Sequence, residues 1–170
     1  FLSRFTMIGD SLNLLSEKVV IQVPVQRKSC CHSGGSLNWD AQGNLYLSTG
    51  DNTSSKESDG YSPLDERPDR GPYDSQKSSG NTNDLRGKII RITPNIYGGY
   101  DIPEGNLFPP GDSLRRPEIY VMGARNPFRI AIDQKTGYVY WGDVGPDVGV
   151  SGKYGTESYD EWNQARTPGN

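Results

Sequence analysis

The chain has 170 residues and a formal net charge of −3, and its charges are mixed and interspersed without a basic run. This distribution lacks the basic surface with which proteins engage phosphates, so it argues against a nucleic-acid partner. No apolar stretch approaches the ~18 residues that a membrane-spanning helix needs, so we expect no membrane span.

The composition favours an all-β chain with long loops, because it holds 21 Gly, 12 Pro and 10 Tyr and shows no sustained apolar spacing of the helical kind. The pattern predicts seven strands, at residues 18–25, 36–39, 45–49, 88–93, 118–122, 128–132 and 138–141. Gly43 and Gly137 stand in two short connections where hairpin turns need positive φ. The segment 52–84 is almost free of apolar residues, and we interpret it as an inserted, solvated surface loop, with calcium binding as the alternative.

Cys30 and Cys31 are the only two cysteines, and they are adjacent. A bridge between neighbours closes a strained eight-membered ring, so we expect two free thiols, with the bridge as the alternative. His32, the only histidine, is not preceded by the spacing of a haem-attachment motif, and no other Cys or His exists to complete a zinc site.

Two hairpins resemble each other. Residues 36–51 and 129–144 share apolar–polar alternation into Asp, a Gly turn, an aromatic-rich return strand and a terminal Gly-Asp. Eight residues before the turn Asp of each copy stand His32 and Arg125. Repeated units that cannot close a core alone indicate stacked blades. We therefore predict neighbouring blades of a β-propeller in which both residues face the central axis.

The strand count predicts one propeller fragment over residues 1–170, with about two to three blades of an incomplete ring. Residues 18–25 would be the last strand of a preceding blade, residues 36–122 one full blade with the insert 52–84, and residues 128–170 the start of the next blade. Propellers close on themselves to remove strand edges, so the expected partner is the rest of a larger propeller chain.

Several motifs, in this order, resemble those of the glucose/sorbosone dehydrogenase family, relatives of soluble quinoprotein glucose dehydrogenase. They are His32-Ser-Gly-Gly, Gly50-Asp51, Leu85-Arg-Gly-Lys-Ile-Ile-Arg-Ile, Gly123-Ala-Arg-Asn-Pro127, Gly145-Pro146 and Asp160-Glu161. The nearest likeness is to propeller modules of large exported bacterial proteins. The resemblance implies a six-bladed propeller, a sugar substrate and a periplasmic or extracellular location.

The resemblance also implies pyrroloquinoline quinone (PQQ) lying over a calcium ion. His32 would take the proton of the sugar hydroxyl while hydride passes to the quinone, and Asp51 would orient the imidazole. Arg125 and Asn126 would contact the oxygens of the quinone. These roles suit the residue types, because an imidazole accepts a proton near neutral pH and a guanidinium matches carboxylates.

The main-chain carbonyls of Gly145 and Pro146 would bind the calcium ion, which prefers oxygen ligands. Two features depart from the family pattern: Val144 stands where the family usually has Gln, and residues 147–159 are an added Gly-rich stretch. The residues that follow, 160–163, predict a strand that buries Trp162 against its neighbour.

Two alternatives stay open at the level of sequence. The first is a non-catalytic propeller that binds a sugar or a protein and holds no redox cofactor, which the Val144 departure would permit. The second is a calcium-dependent polysaccharide lyase or hydrolase in which His32 and Asp51 act on the polymer.

Overall fold

The computed structural model describes residues 1–169. Its ten strands are β1 Leu2–Ile8, β2 Ser11–Ile21, β3 Leu37–Trp39, β4 Leu45–Thr49, β5 Lys88–Pro94, β6 Tyr100–Asp101, β7 Ile119–Met122, β8 Pro127–Ile132, β9 Val139–Asp143 and β10 Glu161–Ala165. Within the described range the helical elements are two short 3₁₀-helices, Gly71–Tyr73 and Ser75–Lys77. No helix in this range is long and apolar enough to cross a membrane.

A central antiparallel sheet contains β3, β4, β5 and β7 in that order, and β6 pairs with the end of β5. Its side chains alternate between two apolar clusters. Leu45 and Leu47 pack with Ile21 on one face, and Tyr46 packs with Trp141 on the other. Every residue of β4 is buried because both faces are covered. Burial of a large apolar side chain contributes ~1.5–3 kcal/mol, so these two clusters hold the sheets together.

The central sheet lies between two others. The β1–β2 hairpin packs on one side through Val20 and Ile21, and the β8–β9–β10 sheet packs on the other through Ile130 and Val139. The Ile130 amide donates to Ser36 Oγ at 3.2 Å, which joins the start of β3 to the middle of β8. The two look-alike hairpins are therefore in adjacent sheets. The prediction of an all-β fold that forms part of a β-propeller is confirmed, and the division into blades stays a prediction.

Two predicted strands differ from the observed ones at the start of the chain. The strand expected at residues 18–25 is β2, which begins at Ser11 and ends at Ile21, and β1 was not predicted. Gly9, with φ of +57°, makes the turn between them. The sequence pattern missed this hairpin because most of its side chains are exposed on both faces, so it shows no clean apolar alternation.

The prediction that Trp162 is buried is wrong. Residues 161–165 do form a strand, β10, paired with β9, but the Trp162 side chain is 76% exposed. The strand lies at the open edge of its sheet, and the indole lies over Gly142, whose missing side chain leaves a shallow surface.

The insert 52–84 is a loop with much exposed surface, as its composition predicts, but part of it is buried. Asp65 is fully buried and accepts hydrogen bonds from Arg67 Nε and Nη2 at 2.8 and 2.7 Å. The Arg67 guanidinium holds the pKa of the Asp65 carboxyl well below its usual range. Tyr61 stacks on Tyr154 with ring centroids 4.2 Å apart, which ties the insert to the added stretch 147–159. A polar segment can be buried in this way when its groups satisfy one another.

Candidate active site around His32

His32 and Asp51 form a buried pair. His32 Nδ1 lies 2.8 Å from Asp51 Oδ1, and the two side chains are 3% and 0% exposed. A carboxylate accepts, so Nδ1 carries the proton in the neutral ring and Nε2 has the free lone pair. Nε2 makes no hydrogen bond within residues 1–169. The imidazole is therefore oriented to accept a proton at Nε2.

Asp51 is itself held by its neighbours. The Thr53 amide donates to Asp51 Oδ1 at 2.8 Å, and Thr53 Oγ1 lies 2.9 Å from each carboxylate oxygen. Ser78 Oγ donates to the main-chain carbonyl of Asp51 at 2.8 Å. Hydrogen bonds of this kind fix the plane of the carboxylate.

The backbone before β3 makes this contact possible. Cys31 and His32 have φ of +133° and +47°, and Gly34 and Gly35 also lie at positive φ. The loop packs against the chain that leaves β4, so closely that a Cβ on Gly50 would meet the His32 carbonyl oxygen at 2.0 Å. Only glycine fits at position 50, and its absence of a side chain allows the two segments of the pair to touch.

The expectation of two free thiols is wrong, because Cys30 and Cys31 are joined in a disulfide immediately before His32. Cys31 has φ of +133°, and the bridge closes an eight-membered ring within this dipeptide. The expectation rested on the strain of that ring alone, because the sequence does not show the backbone conformation at Cys31.

Arg125 and Asn126 form the turn between β7 and β8. The amides of both residues donate to the Asp143 carboxylate, at 3.0 Å from Arg125 and 2.6 Å from Asn126. Burial raises the pKa of Asp143 above its usual value, and these two amides oppose the rise. Burial lowers the pKa of Arg125, although the negative charges of Asp51 and other acids raise it in part. Arg125 Nε and Asn126 Oδ1 are buried without a partner in the described residues.

The two parts of the candidate site are in contact through main-chain atoms. The Asp51 amide donates to the Arg125 carbonyl at 2.7 Å. A Cβ on Gly50 would lie 2.9 Å from Asn126 Oδ1. The structure thus brings together His32, Asp51, Arg125 and Asn126, which the sequence places up to 94 positions apart.

Gly145 and Pro146 lie beside Arg125, but their carbonyls already accept hydrogen bonds. Arg125 Nη1 donates to the carbonyls of Val144 and Gly145, each at 2.6 Å, and Ser158 Oγ donates to that of Pro146. No cluster of three or more His, Cys, Asp or Glu side chains that could hold a metal ion occurs in residues 1–169.

Two separate cavities adjoin the site. One, of about 240 Å³, is lined by His32, Gly50 and Arg86 together with apolar side chains of the first hairpin. The other, of about 360 Å³, is lined by Arg125, the Gly145–Pro146 turn and residues of the stretch 156–159. His32 and Arg125 thus open into different cavities, although Asp51 is joined to both of them by hydrogen bonds.

Sequence reasoning missed several residues that shape the site, namely Thr53, Ser78, Lys88 and Asp143. A signal existed for Asp143, because it ends the second hairpin as Asp51 ends the first, and for Lys88, because it stands in the family motif that begins at Leu85. Thr53 and Ser78 lie within the insert, whose composition gives no indication of burial.

Comparison with known proteins gives the family. A family model described as Glucose / Sorbosone dehydrogenase matches residues 1–170. The HIPL2 protein of Arabidopsis thaliana is 29% identical over 147 residues, which cover 75% of this chain and 18% of that protein. The chain therefore spans less than a fifth of this curated relative.

Two solved structures support the same conclusion. A putative oxidoreductase (glucose dehydrogenase) from Thermus thermophilus is 26% identical with a TM-score of 0.62, over 98% of this chain and 39% of that one. A second structure, named glucose dehydrogenase, is 28% identical with a TM-score of 0.51, over 82% of this chain and 32% of that one. From the family match over its whole length, and from a fold shared with these structures, the chain belongs to the glucose/sorbosone dehydrogenase family.

Proposed function

We propose that the chain contributes the proton-accepting half of a sugar dehydrogenase, in which His32 Nε2 takes the proton of a sugar hydroxyl. The observation that carries the proposal is the buried His32–Asp51 contact of 2.8 Å, with Nε2 left without a protein partner in the described residues. Names of the similar solved structures, which refer to glucose dehydrogenase, support a carbohydrate substrate.

The roles of the two residues follow from this contact. Asp51 holds the tautomer in which Nε2 is unprotonated, and its negative charge stabilises the imidazolium that forms when the proton arrives. Burial strengthens the effect, because few water molecules screen the charge. General-base catalysis of this kind contributes ~10²–10⁴-fold to a rate.

PQQ fits the residues around Arg125. The guanidinium of Arg125 is half-buried, and its Nε lacks a partner in the described residues, so an anionic oxygen would accept from an N–H donor that the protein leaves unpaired. Oδ1 of Asn126 also lacks a partner there, but as an acceptor it needs an N–H or O–H donor. When bound, PQQ would supply the two-electron acceptor for the hydride that leaves the same carbon. Arg125 and Asn126 would hold it.

Calcium does not fit the carbonyls of Gly145 and Pro146 as the structure has them. Both already accept hydrogen bonds, and the donor to Gly145 is the cationic guanidinium of Arg125, which would repel a dication. We therefore propose no calcium-dependent step. The Cys30–Cys31 disulfide supports an oxidising compartment, periplasmic or extracellular, since disulfides are rare in the cytosol.

The test adds PQQ, with and without calcium, to the complete protein and measures the quinone absorbance and dye reduction by aldoses. We expect His32→Ala to retain the quinone and lose turnover ~10²–10⁴-fold, and Arg125→Ala to lose both. Arg115→Ala serves as the matched control, because Arg115 is half exposed and pairs with Asp112 away from the site. Full turnover in His32→Ala would contradict the base assignment.

A second candidate function is a propeller that binds a sugar or a protein without a redox cofactor. The observation that favours it is the Gly145–Pro146 turn, whose carbonyls are satisfied by Arg125 and Ser158. Absence of bound quinone at micromolar concentrations, with sugar binding retained in calorimetry, would select this function over the dehydrogenase.

A further inference from the structure

Lys88, on β5, carries an ammonium group that the proposed chemistry does not use. Its side chain is fully buried, and no ion pair to a carboxylate occurs within residues 1–169. It donates instead to three main-chain carbonyls, those of Ser78 at 2.8 Å, Ser79 at 2.9 Å and Arg86 at 2.8 Å. An ammonium has three N–H donors, so all of them are satisfied.

The carbonyls around Lys88 belong to the segments that support Asp51. Ser78 donates its hydroxyl to the Asp51 carbonyl at 2.8 Å. The Gly87 amide, next in the chain to Arg86, donates to the Gly50 carbonyl at 2.9 Å. The ammonium therefore binds Ser78 and the peptide group between Arg86 and Gly87. Each of these also donates a hydrogen bond to a carbonyl of the Gly50–Asp51 segment.

The segments around Lys88 also bind the turn that carries Arg125. The Ser79 carbonyl also accepts from the Gly123 amide at 3.1 Å, and the Gly87 carbonyl accepts from the Ala124 amide at 3.2 Å. The segments around Gly87 pack tightly, because a Cβ on Gly87 would meet Ser79 Cβ at 2.4 Å and the Ala124 carbonyl oxygen at 2.6 Å.

We infer that Lys88 is a positioning residue for the site, whose ammonium gathers three carbonyls and so fixes the main chain on which Asp51 and Arg125 stand. A buried cation without a carboxylate is costly, and three converging carbonyls are what offsets that cost here. The catalytic consequence rests on the proposed function, whereas the effect on the His32–Asp51 contact does not.

The protonation state of Lys88 agrees with this role. Burial lowers its pKa to about 8, nearby Asp84 opposes the change and Arg86 adds to it. At pH 7 the ammonium form therefore predominates. Above the pKa the neutral amine has two N–H donors for three carbonyls, and one carbonyl is left unpaired.

The test uses Lys88→Ala in the full chain, with and without n-propylammonium, whose three carbons and nitrogen replace the deleted atoms. The readout is the ¹H–¹⁵N spectrum of the imidazole, which is unambiguous because the chain has one histidine. Lys77→Ala is the matched control: this lysine, next to Ser78 in the insert, is 57% exposed and pairs with Asp74 at 3.5 Å. Neutral n-propanol controls for filling the cavity without the charge.

We expect wild type and Lys77→Ala to show the Nδ1-protonated tautomer, and Lys88→Ala to show a mixture of tautomers. The amine should restore the wild-type spectrum, and propanol should not. In the loaded enzyme Lys88→Ala should lose turnover ~10–100-fold, the usual effect of a displaced catalytic group. A folded Lys88→Ala protein with the wild-type imidazole spectrum, or equal recovery with propanol, would overturn the inference.

Ser78→Ala decides the case if Lys88→Ala does not fold without the amine. This variant removes only the Ser78 hydroxyl, which donates to the Asp51 carbonyl, and leaves the ammonium of Lys88 in place. It should shift the tautomer as Lys88→Ala does, without response to the amine, and an unchanged spectrum would refute the link. Changed spectra in a protein that shows no quinone turnover would sustain the positioning role and reject the dehydrogenase.

Discussion

Gly50→Ala is the most direct perturbation of the candidate site, because it inserts one methyl group between its two halves. The new Cβ would lie 2.0 Å from the His32 carbonyl oxygen and 2.9 Å from Asn126 Oδ1, whereas ordinary contacts begin at 3.4 Å. The His32 loop would have to retreat by more than ~1 Å, since protein interiors leave no spare volume. A retreat of that size breaks the 2.8 Å contact between His32 and Asp51.

The expected loss of free energy of unfolding in Gly50→Ala has two parts. Overpacking costs ~1–3 kcal/mol, and loss of a hydrogen bond to a charged group costs ~1.5–3 kcal/mol, so the free energy of unfolding should fall by ~3 kcal/mol or more. For a chain of this size, that loss lowers the melting temperature by roughly 6–12 °C. Urea and thermal denaturation followed by circular dichroism measure both quantities, and the imidazole spectrum reports the displaced ring.

Gly149→Ala is the control, because a Cβ there meets nothing within 4 Å. It should change the free energy of unfolding by less than ~0.5 kcal/mol, as surface substitutions do. If Gly50→Ala matched this control in stability and kept the Nδ1-protonated tautomer, the close approach of the two segments would be refuted.

Three further predictions concern the groups around the site. Asp143→Asn offers one acceptor oxygen to the two amides that its carboxylate now binds, so urea denaturation should show a loss of ~1–3 kcal/mol. Hydrogen bonds from Arg67 lower the pKa of Asp65, so the contribution of this carboxylate to stability is present at neutral pH and is lost as the pH falls below about 4. The difference in free energy of unfolding between wild type and Asp65→Asn, measured in urea, should therefore be smaller at pH 3 than at pH 7. Alkylation of the unfolded, unreduced chain should label neither Cys30 nor Cys31, and mass spectrometry would detect any free thiol.

The central sheet could be predicted from sequence because both of its faces are covered. Every residue of β4 and four of the seven in β5 are buried, and the β-branched and aromatic residues there favour strands. The first hairpin lacks that signal, since Leu14 and Leu15 are 71% and 99% exposed although they lie in β2. Strand pairing rather than burial defines it, and pairing is not encoded in local composition.

The candidate site was predictable only where a motif carried it. The spacing of His32 and Asp51 in the family pattern led to the contact that the structure shows, although their chemical roles stay predictions. Lys88 stands in the family motif that begins at Leu85, but nothing in the sequence indicates its burial, and Ser78 gave no signal, because a lysine in a strand and a serine in a polar loop are usually solvated. Their importance comes from contacts across the fold, and these exist only once the insert has packed.

The repeated hairpin explains why these residues converge. In each copy the Asp that follows the return strand binds the segment that enters the first strand: Asp51 binds the imidazole of His32, and Asp143 binds the amides of Arg125 and Asn126. One copy thus fixes a side chain and the other fixes a main-chain turn, which leaves the guanidinium of Arg125 free to reach Gly145. Because the Asp51 amide also donates to the Arg125 carbonyl, the two copies are locked together at 2.7 Å. A carboxylate at the equivalent position of each copy, used once on a side chain and once on the backbone, therefore holds the proposed proton acceptor and the half-buried guanidinium of Arg125 on adjoining segments.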